Sequence, residues 1–155
     1  KMLDIADEYG VKLCHENEKG IYGDKAARCR DLLETLNCPY VRATFDPANF
    51  VQCRQDTLEA YGLLSDYIEY VHIKDAIWET GDVVPFGLGD GHAAELIKRL
   101  RAKNKDMFLS FEPHLGDFQG FADLEEKTVV KKEASGPEKF KIAYDAAEKI
   151  VKGEK

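Results

Sequence analysis

The sequence predicts an α/β fold built on a parallel sheet. Short apolar runs alternate with helix-period segments four times along the chain, and strict alternation implies parallel strands joined by right-handed crossovers. The first of those runs reads as a buried parallel strand, being apolar and short. The composition is that of a globular domain: 155 residues, 44% hydrophobic and 33% charged, close to the average, which excludes a disordered tail, a collagen and a coiled coil. Two architectures fit four strand–helix units, a small doubly wound open sheet or half of an eight-stranded barrel. Periodicity does not choose between them.

The elements follow in order. Residues 1–9 (KMLDIADEY) read as the end of an amphipathic helix, with Gly10 as the residue that closes it. An opening inside a helix leads to the expectation of a fragment or a processed chain. Val11 to Cys14 is the first strand. Asp24 to Leu36 is a helix with Asp24 as N-cap and Ala27, Leu32, Leu33 and Leu36 on one face, stopped by Asn37-Cys38-Pro39. Tyr40 to Phe45 is the second strand, Thr57 to Leu64 a helix weakened by Gly62, and Ile68 to Ile73 the third strand. A loop runs from Ala76 through GLGDG, Gly87 to Gly91. His92 to Lys103 is an amphipathic helix with Ala93, Leu96, Ile97 and Leu100 inward, and Met107 to Phe111 is the fourth strand. Glu112 to Gly136 is long and mixed, a functional loop or a mobile flap. Pro137 to Val151 closes the chain as a helix, with Ser135 as its candidate cap.

Charge and cysteines narrow the function classes. The formal net charge is −7, from 22 Lys+Arg against 29 Asp+Glu. With a pI near 5.2, that argues against a nucleic-acid partner, which would need a basic surface. No apolar run approaches the ~20 residues that span a bilayer, so no membrane partner is expected. Cys14, Cys29, Cys38 and Cys53 form no C-x-x-C pair and are expected as buried free thiols in a reducing, cytoplasmic setting.

In α/β folds ligands collect at the carboxyl ends of the strands. The four predicted strands end in His15-Glu16-Asn17-Glu18, Asp46-Pro47-Ala48-Asn49, His72-Ile73-Lys74-Asp75 and Glu112-Pro113-His114. A single acid at a strand end is usually a helix cap or a solvated loop residue. Four acid or imidazole groups at equivalent positions in consecutive units are not scattered in that way. Glu16, Asp46, His72 and Glu112 would repel and desolvate at high cost if they converged unpaired. One divalent metal ion removes that penalty, and an oxygen-rich set with one imidazole suits Mn, Mg, Co or Zn.

These motifs resemble the C-terminal half of the xylose isomerase-like TIM-barrel superfamily, which holds sugar and sugar-phosphate isomerases and epimerases, inosose dehydratases and the endonuclease IV branch. The matching stretches are HENE with Glu16, TFDPANF with Asp46, VHIKD with His72, SFEPH with Glu112, the turn PFGLGDGHAAELIKRL and the closing FKIAYDAAEKI. The resemblance covers nearly the whole chain. It implies a (β/α)4 half of a TIM barrel with outer helices, residues 1–155 as one C-terminal half-barrel domain, and strands five to eight of the full barrel. The first ~100 residues of a ~250-residue barrel would then be absent. A half barrel leaves two sheet edges open, so a homo-oligomer or pairing with the missing N-terminal half is expected.

The resemblance also implies the chemistry: a metal-dependent isomerase or epimerase of a small-molecule sugar or sugar phosphate, moving a proton through an enediolate. Glu16 and Glu112 would be the catalytic base and acid as well as metal ligands, with Asp46 and His72 as structural ligands. Asn49, Lys74, Asp75, His15, Trp78 and His114 are the candidate substrate contacts. A strand-end Lys74 is more often simply solvated, and His15 and His114 read equally as structural histidines. The GLGDG loop reads as a tight turn or, at a helix N-terminus, an anion cradle. Departures from the relatives inform the branch. The zinc-binding His of the endonuclease IV branch, a substrate His in ketose 3-epimerases, is Asn49 here, and the Asp-x-His pair after strand seven is missing from 76–91. The epimerases' substrate Glu and Arg are replaced by Tyr22 and Trp78. Competing readings are an inosose dehydratase-type lyase on the same site, a non-catalytic half-barrel, and a small flavodoxin-like binding domain.

Overall fold

The computed structural model describes residues 1–103, 106–116 and 136–153. Helix α1 (Met2–Tyr9) ends where Gly10 turns left-handed at φ 63 and returns its N–H to Ala6 and Asp7 carbonyls. Strand β1 (Leu13–Glu16) begins two residues later than the sequence predicts and runs through the acid at its end. A 3-10 turn at Tyr22–Asp24 precedes α2 (Ala26–Leu36).

Two expectations for α2 are corrected. Asp24 is not its N-cap: Lys25 holds that position, while Asp24 pairs with Arg28 at 2.7 Å and the Gln55 side chain accepts the N–H of Ala26. The later start also turns the helix. Its buried residues are Ala26, Cys29 and Leu33, with Ala27 and Leu36 exposed. Asn37 stops the helix as expected, in the left-handed region at φ 40.

Strand β2 (Val41–Phe45) leads directly into α3 (Pro47–Gln52), a short helix that the sequence reading leaves as loop. Helix α4 (Thr57–Leu64) has the expected bounds. Its N-cap Asp56 accepts the N–H groups of Leu58 and Glu59 through Oδ1, both at 2.9 Å, and faces His92 Nε2 at 3.0 Å through Oδ2. Replacing Asp56 by alanine should lower stability by ~1 kcal/mol in urea denaturation, the usual cost of losing a helix cap. An unchanged midpoint would show that the cap is not used.

Strand β3 (Ile68–Ile73) is followed by a small antiparallel pair, β4 (Asp75–Ala76) with β5 (Val83–Val84), inside the expected loop. Then come α5 (Ala93–Lys103), β6 (Phe108–Phe111) and α6 (Pro137–Lys152). Ala93, Leu96, Ile97 and Leu100 of α5 are all buried, as expected. Gly136 occupies the N-cap position of α6. Ser135 and most of the mixed stretch before it (117–135) lie outside the described residues.

The main sheet runs β1-β2-β3-β6, every neighbour parallel. A doubly wound sheet reverses its strand order at a switch point. This one does not: the strands follow one another in chain order, the progression of a barrel wall. The flavodoxin-like alternative is therefore excluded, and the fold matches a TIM-barrel-like half.

The apolar core lies between sheet and helices, with Val41, Ala43, Phe45, Val71 and Ile73 buried and Leu13, Leu109 and Phe111 packed against it. Alternate strand residues face the other way. Cys14, Arg42, Thr44, Tyr70, His72, Phe108 and Ser110 therefore line the inner, concave face. One irregularity matters. The register steps from Ala43↔Ile68 to Thr44↔Tyr70, leaving Glu69 as an extra residue in β3.

That inner face also explains the cysteines. All four are free, but only Cys29 is buried; Cys14 is exposed and Cys38 and Cys53 are half-buried. The expectation of buried thiols treated each strand as covered on both faces. Cys14 points to the side that none of the described helices covers.

Candidate metal centre

The mouth of the sheet is assembled from the ends of its four strands. Glu16 is the last residue of β1, Asp46 follows β2, His72 is next to last in β3, and Glu112 follows β6. Asp46 is also the N-cap of α3. Its Oδ1 accepts the N–H of Asn49 at 2.9 Å, which leaves Oδ2 aimed at the mouth. Asn17 locks the ends of β1 and β2 together: its Oδ1 accepts the Asp46 N–H and its Nδ2 donates to the Asp46 carbonyl, both at 2.9 Å.

The four side chains converge. One donor atom from each of Glu16, Asp46, His72 and Glu112 lies within 4.8 Å of all the others. His72 Nδ1 is 3.0 Å from Glu16 Oε1, 3.3 Å from Glu112 Oε2 and 3.7 Å from Asp46 Oδ2. Burial separates the four into pairs. The side chains of Asp46 and His72 are 0% and 14% exposed, those of Glu16 and Glu112 about a third.

Two of the donor atoms test the fit of a cation. Asp46 Oδ2 and His72 Nδ1 are buried and have no hydrogen-bond partner among the described residues. Buried polar atoms are normally satisfied. Here they point at a shared centre together with two further carboxylate oxygens, the donor set that a hard or borderline divalent ion takes. The residues present fit such an ion.

The electrostatics follow the crowding. Burial works against charge on His72, but the carboxylates of Asp46, Glu112 and Glu16 outweigh it and lift the imidazole pKa to about 11. Burial raises Glu112, and His72 and Lys74 reverse that, holding the carboxyl well below the usual carboxylate range. Burial likewise disfavours the Lys74 ammonium, and Asp46 and Glu112 more than restore it.

The proposed substrate contacts divide into two groups. Asn49, Lys74 and Asp75 are buried, and His15 is half-buried. Asn49 is buried; its Nδ2 donates to Asn17 O at 2.9 Å and faces Glu16 and Glu18 at 3.3 Å, and its Oδ1 accepts from Lys74 Nζ at 3.1 Å. Asp75 is fully buried. Its Oδ1 accepts the N–H groups of Ala76 and Gly91, and its Oδ2 those of Gly87 and Gly89, at 2.8–3.1 Å. The GLGDG loop does cradle an anion, and the anion is the chain's own Asp75. Burial pushes this carboxyl up against the pull of its four donors. A Cβ at Gly89 would stand 2.5 Å from Asp75 Oδ1 and the Ala76 carbonyl, so the loop is glycine where it meets the carboxylate. The His15 ring packs against Gly23, whose Cβ would meet it at 2.0 Å, on the face of β1 opposite Glu16.

Trp78 lies at the surface and His114 beside the mouth. Trp78 is 41% exposed, donates its backbone N–H to Asp90 Oδ2 and carries the Arg54 guanidinium 6.0 Å over its ring. His114 Nε2 is 3.7 Å from Glu112 Oε1. Sequence reasoning missed the roles of Asn17 and Glu18 as partners of Asp46 and Asn49. Both stand in the HENE string itself, one and two residues past the first acid.

An α/β half-barrel wall with an acidic, imidazole-bearing mouth is the class these features define. The chain belongs to the xylose isomerase-like TIM barrel family, whose model matches residues 1–135. No curated protein matches the sequence. Among solved structures, the chain is similar to D-allulose 3-epimerase from Methylomonas sp. in complex with D-allulose (14% identity, TM-score 0.70, covering 97% of this chain and 51% of that one). It is also similar to 3-keto-D-glucoside 4-epimerase YcjR from E. coli (15%, TM-score 0.65, 97% and 49%). A third is the probable 3-DHS dehydratase AsbF of petrobactin synthesis from Bacillus anthracis (17%, TM-score 0.62, 72% and 46%). At these identities the likeness is one of fold. The chain spans about half the length of each.

Proposed function

We propose that this chain is the C-terminal half, strands five to eight, of a metal-dependent isomerase or epimerase acting on a small sugar or sugar phosphate. A second half-barrel, from the same protein or another copy, would complete the wall. The observation that carries the reading is the convergence of Glu16, Asp46, His72 and Glu112 on one centre, with two of their donor atoms buried and lacking a hydrogen-bond partner among the described residues. Those four residues would hold one divalent ion (Mn, Mg, Co or Zn). When bound, the ion would polarise a substrate carbonyl and so acidify the neighbouring C–H.

The remaining chemistry belongs to the side chains. Asp46 and His72 are enclosed, which suits holding an ion and prevents contact with a sugar. Glu16 and Glu112 are each about a third exposed. They approach the centre from opposite edges of the sheet, so one carboxylate can take the proton and the other return it. Glu112 would serve as the base in one direction of the reaction and Glu16 in the reverse. The similarity to sugar epimerases supports this class of reaction. The same proton abstraction followed by loss of hydroxide would make the protein a dehydratase, and product analysis separates the two.

Replacing Glu112 by glutamine keeps an oxygen toward the ion and removes the base. Proton exchange with solvent at the substrate carbon should fall by a factor on the order of 10³ while the metal stays bound. Exchange at the original rate would remove Glu112 from the mechanism.

A further inference from the structure

We propose that Lys74 is a fixed counter-charge of the metal centre that matches it to a divalent rather than a trivalent cation. The inference rests on the metal-centre reading above and deepens it. Lys74 is 4% exposed. Its ammonium lies 3.0 Å from Glu112 Oε2 and 3.3 Å from Asp46 Oδ2. These are the same two oxygens that face His72 Nδ1, so the ammonium and a bound ion would share them.

The charges then balance. Glu16, Asp46 and Glu112 bring three negative charges and Lys74 cancels one. With a neutral imidazole, two remain, which one divalent ion neutralises. Glu18 is not one of the four converging ligands. Its Oε2 faces Asn49 Nδ2, and its Oε1 accepts the backbone N–H of Lys19.

The ammonium is also held in place. The Asn49 amide turns its Nδ2 to the oxygens of Asn17, Glu16 and Glu18 and its Oδ1 to Lys74. That arrangement fixes both the amide orientation and the lysine. Lysine is a compact point charge, whereas arginine would bring a planar fork of five donors. A cation fixed this close to the ion site repels the ion in proportion to the ion's charge.

The test compares two ions on the whole chain. Mn²⁺ and Tb³⁺ affinities are measured by calorimetry for the wild type and for Lys74→Met, which keeps the length and removes the charge. Mn²⁺ binding should tighten by about tenfold and Tb³⁺ binding by about thirtyfold, the exponents standing in the ratio of the ion charges. If Lys74→Met does not fold, Lys74→Gln, which keeps a donor toward Glu112 and Asn49, makes the same comparison with the same expected result. Equal changes for both ions, or weaker binding of both, would overturn the counter-charge and leave the metal centre standing. Failure of the wild-type protein to bind either ion would overturn the metal centre and the counter-charge with it.

Discussion

Replacing Asp75 by asparagine should destabilise the protein by about 4 kcal/mol, although the two side chains have the same shape. The carboxylate accepts two backbone N–H groups on each oxygen. An amide has one oxygen. Whichever way it turns, its NH₂ must face two N–H donors, the part-buried pair Gly87 and Gly89 or the buried pair Ala76 and Gly91. Each orphaned donor costs ~1–3 kcal/mol, and Asp75 itself is fully buried. The loop that would loosen leads from β5 into α5. Urea denaturation reads the loss as a lower midpoint at unchanged slope. A loss below about 1 kcal/mol would mean that the loop holds its shape without the carboxylate.

Metal binding should release close to one proton per ion and tighten about tenfold for each unit of pH. The cause is His72. In the ion-free protein its pKa is raised to about 11 by the facing carboxylates, so the imidazole is charged at neutral pH. A raised pKa contributes stability that is fully present below the ordinary value of ~6.5 and lost as pH climbs through about 11. An ion needs the neutral ring and must displace that proton. Rising pH therefore weakens the ion-free fold and strengthens ion binding. Glu112, held ionised by Lys74 and His72, adds no proton near neutrality. Calorimetry in buffers of different ionisation enthalpy counts the proton directly. Changing His72 to glutamine should abolish the release and weaken binding by more than about a hundredfold. A pH-independent affinity would contradict the assignment of His72 as a ligand.

The mouth of this sheet was legible because short strands leave little choice of where they end, and each ended in an acid or an imidazole. Helix α5 was legible for a similar reason: its apolar residues repeat over three turns. The misreadings have physical causes. PANFVQ in α3 is six residues long and apolar nearly throughout, so it has no period to detect. Asp46-Pro47, a cap followed by proline at the first helical position, was the available signal. Helix α2 was phased wrongly because Asp24 looks like a cap, while the 3-10 turn delays the helix by two residues. Lys74 and Asp75 read as candidate substrate contacts because they follow a strand. The structure instead shows each enclosed by opposite polarity, an ammonium among carboxylates and a carboxylate among amides. No single-residue rule reports that pairing, which links segments far apart in the chain.

The extra residue at Glu69 has a consequence for how this protein can vary. Ile68 and Val71 both face the helices, although they are three apart, because the bulge inserts one position between them. In an unbroken strand, positions 68, 70 and 72 would share a side, and the imidazole would be driven into hydrocarbon while Val71 and Ile73 took its place at the mouth. Chemistry here is thus encoded in a count as much as in an alphabet. Exchanging side chains along β3 alters the tuning, whereas dropping one codon from it would exchange the inside of the wall for the outside.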